Sequence, residues 1–151
     1  MYRMILVPLD GSGRAEAILP HVESLAAAHE SKVIFLRVLE PSRAIIDPHE
    51  TMVSVHVEEI KRQEAEAKAY LAARQGEFRE RHIEAETRLA HGPVAATIVN
   101  VAASEGADLI AMASHGRGGL ARAFYGSVAA GVLQRIDRPL LLVRSRPVEV
   151  R

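Results

Sequence analysis

Apolar residues along this chain fall into two kinds of block, and the two kinds alternate. Met4 to Leu9 is a compact apolar run closed by "PLDGSG", after which Ile18, Val22, Leu25 and Ala26 recur at helical spacing. This predicts strand, loop and helix. "KVIFLRVLEP", Lys32 to Pro41, is rich in β-branched residues and almost continuously apolar, as expected of a parallel strand covered on both faces. Pro41 closes it. Beyond a loop through "RAIIDPHE", the stretch from about Val53 to Phe78 sets Val53, Val57, Ile60, Ala67, Leu71 and Phe78 on one stripe. Glu58–Arg62 and Glu64–Lys68 stand at i,i+4 spacing on the opposite face. The pattern predicts a long amphipathic helix.

In "HIEAETRLAHG" the residues Ile83, Ala85, Thr87 and Leu89 alternate with His82, Glu84, Glu86 and Arg88, which suits an edge strand with one wetter face. Gly92-Pro93 offers proline at a first helical position, and Val94, Ile98, Val101 and Ala102 follow at helical spacing. "ADLIAM", Ala107 to Met112, reads as a short buried strand. A glycine-rich loop comes next, then a helix with Val128, Val132, Leu133 and Ile136 turned inward, and "RPLLLVRS" supplies a last strand. The order β-α-β-α-β-α-β-α-β predicts a five-stranded parallel sheet with helices on both faces. Ligands of such sheets sit beyond the carboxyl ends of the strands, where the strand order reverses. With strand one central and strand four beside it, "PLDGSG" and "SHGRGG…YGS" become neighbours across that switch point.

Composition narrows the functional classes. A chain of 151 residues, 48% hydrophobic and without internal repeats, suits a single domain spanning 1–151. Nineteen basic and nineteen acidic residues cancel, so no nucleic-acid partner is expected. The absence of cysteine removes disulfides, thiolate chemistry and sulfur-ligated metals, and fits a reducing compartment. "MYRMILVPLD" is too short for a signal segment and no run reaches membrane-spanning length, so the expectation is a cytoplasmic protein with no membrane partner. The seven histidines include no H-x-x-x-H or H-E-x-x-H pair, and no metal site is expected from them. No Ser-His-Asp set can be assembled from sequence order, and no catalytic residue is assigned.

The candidate chemistry lies in "ASHGRGGLARAFYGSVA", residues 113 to 129. Gly126-Ser127 precedes the helical stripe that starts at Val128, so unpaired N–H groups and the positive end of the helix dipole face outward there. Ser127 has a second reading, as an ordinary helix cap. Gly116, at a fixed remove from that pair, would let a second set of N–H groups turn toward the same anion. Gly118 and Gly119 read as tether. Arg117 and Arg122 are either phosphate partners or solvated loop residues, and Asp10 is either a site residue or ordinary Asp-Gly-Ser turn chemistry. The sequence holds no G-x-x-x-x-G-K-[ST], and "DGSG" is not a phosphate loop of that kind.

These residues resemble the universal stress protein family, whose adenine-nucleotide-binding members carry G-x-x-G, nine residues, then G-[ST]. "ASHG", nine residues from Arg117 to Tyr125, then Gly126-Ser127 reproduce the pattern with Ala113 in place of the first glycine. The likeness continues through "MILVPLDGS", "VIFLRVLEP", "GPVAATIVNVA", "ADLIAMASHGRGG" and "GSVAAGVLQRIDRPLLLVR", so it covers essentially the whole chain. It implies an adenine nucleotide alpha hydrolase-like fold with strand order 3-2-1-4-5, and a protein that binds ATP, or AMP or ADP, with Mg²⁺ and is read by partners during stress. It further implies that Asp10 approaches the ribose or the phosphates and their metal, with Pro8 and Leu9 lining the nucleotide and Val38 meeting the adenine edge through its main chain. Met112 and Ala113 would flank sugar and base, while Ser114, His115, Gly116, Arg117, Gly126, Ser127 and Val128 would surround the phosphates. A homodimer through the C-terminal strand, residues 140–144, is implied as well. The rival readings are a slow ATPase and a nucleotide-free interaction module.

Overall fold

The computed structural model describes residues 1–41, 51–115 and 126–145. Strands β1 (Met4–Pro8), β2 (Lys32–Leu39), β3 (Ala85–His91), β4 (Leu109–His115) and β5 (Leu140–Ser145) alternate with helices α1 (Leu19–His29), α2 (Thr51–Glu80), α3 (Val94–Glu105) and α4 (Gly126–Arg135). A 3-10 turn, Ala15–Ile18, leads into α1. All pairings are parallel and the order is β3-β2-β1-β4-β5, as the resemblance implied. The sheet therefore reverses direction of growth at β1, between β2 and β4.

Alternation along the central strands divides the core in two. Ile5, Val7 and Leu9 of the first strand and its exit, with Val33, Phe35, Leu109 and Ala111, pack against Val22 and Ala26 of α1 and Leu71 and Phe78 of α2. Leu6, Ile34, Leu36, Val38, Ile110 and Met112 point the other way, onto Ile98 and Ala102 of α3 and Ala129 and Val132 of α4. Because successive strand side chains take opposite faces, a strand buried on both sides must be apolar throughout, which explains the unbroken runs in β1, β2 and β4. Phe35 and Phe78 meet edge to face with centroids 4.9 Å apart and planes at 89°, an arrangement that contributes about 0.5–1.5 kcal/mol beyond its area.

The helices depart from the sequence reading where length and packing override periodicity. α2 has 30 residues, roughly 45 Å of helix, far more than a seven-residue strand can cover. Its stripe is buried at Ala67, Leu71 and Phe78, while Val57, expected inward, is 43% exposed. On α4 the buried line runs through Ala129 and Val132, which leaves Leu133 44% exposed instead of inward. The charged face of α2 also chooses other partners. Arg62 bonds Glu59 and, at 2.8 Å, Glu66 in place of Glu58, and Glu64 lies 3.0 Å from His91 Nε2 in place of Lys68. Pro93 takes the position before α3, with φ −60° and ψ 130°, one residue earlier than expected.

The two edges of the sheet differ. Along β3, Glu86 takes the Lys32 ammonium and, at 2.6 Å, the Arg88 guanidinium, which also bonds Glu105 at 2.6 Å. At the other edge β5 offers Leu140, Leu141, Leu142 and Val143, all partly exposed.

Candidate functional site

The carboxyl ends of β1, β2 and β4 open onto one crevice. The Leu9 N–H donates to the Leu36 carbonyl at 2.9 Å, which keeps the chain in register one residue past β1 and buries the Leu9 side chain. Asp10 then turns away. Its Oδ1 accepts the Ser12 N–H at 2.8 Å, and the Ser12 hydroxyl accepts the Ala15 N–H at 3.2 Å, so the two short side chains replace the ladder bonds and start the 3-10 turn. The turn chemistry assigned to Asp10 is therefore present, and it leaves the exposed carboxylate at the lip of the crevice.

An apolar cavity of about 230 Å³ occupies the switch point. Among the residues singled out from the sequence, Pro8, Leu9, Asp10, Val38, Met112, Ala113 and Val128 line it. Ala15, Leu36, Arg37, Val94, Ile98 and Ala129 line it as well. None of these six was named as a site residue, because Val94 and Ile98 read only as the inward stripe of a helix. The one available signal was Arg37, a charge set inside the apolar run "VIFLRVL". Ser114 lies beside a small pocket of about 30 Å³ shared with Asp10, Arg14 and Ala113, and its carbonyl accepts the Ser145 hydroxyl at 3.1 Å.

Ala113 sits in ordinary strand, paired with Val143. Among the described residues other than glycine, positive φ is confined to Glu30 and His82. The backbone at 113 thus makes no demand for glycine, and the effect of its methyl group is limited to the space it takes from the cavity.

α4 begins beside this cavity, with Val128 and Ala129 of its first turn on the wall. Gly126 has φ +69°, a left-handed conformation that a side chain would strain. The capping reading of Ser127 is not met. The helix starts at Gly126, so Ser127 falls inside the first turn, exposed and with no hydrogen bond from its hydroxyl among the described residues. The N–H groups of that turn have no helical partners and carry the positive end of the dipole. His115 ends β4, while Gly116, Arg117, Gly118, Gly119 and Arg122 lie outside the described residues.

A second, larger cavity of about 580 Å³ adjoins the first and shares Asp10, Arg37, Val38 and Val94 with it. Its far wall is α2, through Arg62, Gln63, Glu66, Ala67 and Tyr70. Burial pushes the Tyr70 phenol up to about 12, and the nearby Glu16 carboxylate adds to the shift. Glu16 itself is bound by Arg74, whose guanidinium also lies 5.4 Å from the Tyr70 ring centroid. Among the described residues no group of three or more His, Asp or Glu could hold a metal by protein ligands alone, and no helix is long and apolar enough to cross a membrane.

Comparison with known proteins gives a consistent set of relatives. The profile of the universal stress protein family matches residues 1–144. Universal stress protein MJ0577 of Methanocaldococcus jannaschii is 30% identical over 158 aligned positions that cover 97% of each chain. Its solved structure superposes with a TM-score of 0.83 over 99% of both chains. Universal stress protein Sll1654 of Synechocystis is 34% identical over 143 positions, 95% of this chain and 86% of that one. The same fold is found in a universal stress protein of Archaeoglobus fulgidus solved in complex with dAMP, at 21% identity and TM-score 0.65 over 95% of this chain and 98% of that one. It recurs in another universal stress protein solved with cAMP, at 22% identity and TM-score 0.69 over 96% and 98%.

Proposed function

The chain belongs to the universal stress protein family, and from that premise we propose that it binds ATP with Mg²⁺ in the crevice at the switch point, as a cytoplasmic protein whose loaded state partners read during stress. The observation that carries this reading is the apolar cavity of about 230 Å³ that runs from the ends of β1, β2 and β4 to the first turn of α4. An adenine base needs an apolar slot with a few main-chain partners, and its phosphates need clustered N–H donors; the crevice offers the two side by side. The base lies against Val38, Met112 and Ile98, with Pro8 and Leu9 behind it. The phosphates reach Gly126, Ser127 and Val128, and the family resemblance adds Ser114, His115, Gly116 and Arg117, the last two outside the described residues. Relatives of this fold solved with cAMP and dAMP support adenine as the base.

The residues suit Mg²⁺ as well. This ion keeps several waters and uses one or two carboxylates together with substrate phosphates, so a single exposed Asp10 beside the phosphate cradle is a sufficient protein contribution. The bound ion would supply charge neutralisation of the phosphates. The β5 edge supports a homodimer through residues 140–144, because an apolar edge strand gains from a second copy, whereas the β3 edge carries charged side chains that guard against pairing.

Calorimetric titration of AMP, ADP and ATP tests the binding. Ser127→Ala and Val94→Asp are the variants to compare. The second places a carboxylate on the shared cavity wall at the first residue of α3, where the helix dipole tolerates it. Tenfold or weaker ATP binding by Val94→Asp is expected, and unchanged affinity in both variants overturns the reading. Native mass spectrometry of freshly purified protein with neither bound nucleotide nor ATP affinity would favour the nucleotide-free module.

A further inference from the structure

The nucleotide reading leaves the larger cavity unexplained. On its sheet side stands Arg37, which by strand alternation shares the face of Val33 and Phe35 and so looks toward α2. The side chain is partly buried, yet among the described residues it has no carboxylate or hydrogen-bond partner. Its nitrogens keep contact with solvent, so the guanidinium stands open to an incoming anion. None of the carboxylates on the cavity wall bonds it among the described residues. Glu66 accepts from Arg62 at 2.8 Å, Asp10 accepts the Ser12 N–H, and Glu40 is exposed at the rim.

Across the cavity the Tyr70 hydroxyl is buried and makes no hydrogen bond of acceptable geometry. Its raised pKa keeps it protonated and therefore a donor at neutral pH. One wall thus presents a guanidinium with no acid partner and the opposite wall a phenolic O–H whose neighbouring carboxylate, Glu16, is held by Arg74, around a space within the range of small-molecule sites, about 300–1,000 Å³. A tetrahedral oxyanion fits such a donor set, because one pair of its oxygens can take the guanidinium fork while another takes the hydroxyl.

The geometry points to the larger cavity as a phosphate subsite, in which Arg37 and Tyr70 hold a phosphate group next to the base cavity. The phosphate is either a second one carried by the nucleotide itself, on its ribose, or that of a separate small molecule bound alongside. The inference rests on the nucleotide reading only for the identity of its neighbour.

Calorimetry on the full chain separates the sources. Adenosine 2′,5′- and 3′,5′-bisphosphate are compared with AMP, and inorganic phosphate is titrated into protein saturated with AMP. Either a bisphosphate binding about tenfold tighter than AMP, or phosphate binding to AMP-loaded protein, is expected, and in Arg37→Gln, read against that variant's own AMP affinity, the gain should disappear. The first pattern assigns the phosphate to the nucleotide and the second to a separate molecule. Tyr70→Phe should weaken the same binding several-fold without lowering the melting temperature of the empty protein, since the buried hydroxyl makes no hydrogen bond of acceptable geometry. Normal AMP binding with neither gain, or a gain that Arg37→Gln leaves intact, overturns the subsite and spares the nucleotide reading. A Tyr70→Phe protein that melts earlier when empty shows that the hydroxyl serves the fold and likewise overturns it. If AMP and ATP do not bind at all, the nucleotide reading fails, and phosphate binding that depends on Arg37 would still uphold the subsite.

Discussion

Replacing Gly131 with alanine should weaken the protein, although the same change stabilises most exposed helices. A Cβ at this position would stand 2.6 Å from the Ala95 Cβ, where α4 crosses α3. Carbon atoms settle near 3.5–4.0 Å, so the helices must part by roughly 1 Å, and neither methyl can swing aside because both are fixed to backbone. Overpacking of this kind costs about 1–3 kcal/mol, and an approach this short between two backbone-fixed methyls falls in the upper part, about 2–3 kcal/mol, against which alanine recovers about 1 kcal/mol of helix propensity. A net loss of about 1–2 kcal/mol follows, or about 2–8 °C in melting temperature for a chain of this size. Urea and thermal unfolding of Gly131→Ala, Ala95→Gly and the double variant measure it as a cycle. Ala95→Gly should recover much of the loss in the Gly131→Ala background, since it removes the opposing methyl. A Gly131→Ala protein as stable as the parent, or a double variant no better than the sum of the singles, refutes the reasoning. The contact also bears on the site, because Val94 and Ala129 on these two helices wall the smaller cavity. Its ATP affinity should fall along with stability.

Ala113→Gly should keep the fold, since the backbone there is ordinary strand, and should change ATP affinity only modestly, by less than about tenfold in a calorimetric titration. A complete loss of binding would show that the methyl does more than fill space. Leu142→Lys should give monomers or insoluble protein in light scattering, and an intact soluble dimer would exclude β5 as the interface. Glu86 has its pKa lowered from 4.5 by hydrogen bonds from Lys32 and then Arg88. A folded value below the unfolded one means that its contribution to stability is complete above about pH 4.5 and disappears as pH falls through the lowered value. Acid unfolding of Glu86→Gln should therefore differ from the parent near neutrality and converge with it at low pH, whereas a difference that persists at low pH would contradict the ion-pair origin.

Much of the architecture can be read from the chain because a strand buried on both faces must be apolar throughout and an amphipathic helix must repeat near 3.6 residues. The runs at Met4–Leu9 and Lys32–Leu39, the charged alternation of β3 and the loop residues Asp10 and Gly126-Ser127 all follow from such local rules. So does the candidate base pocket in part, since Pro8, Leu9, Val38 and Met112 end strands that topology brings together. Periodicity reports burial around one element's own axis, and it carries no information on which distant residue arrives opposite. That Val57 outruns the sheet while Leu71 does not, that Arg62 prefers Glu59 and Glu66, and that Gly131 touches Ala95 are decided by the lengths and crossing points of packed elements. The same holds for Arg37 and Tyr70. Arg37 stands out as a charge within its apolar run and Tyr70 not at all, but only the docking of α2 over the end of β2 sets a cation and a hydroxyl around one shared space.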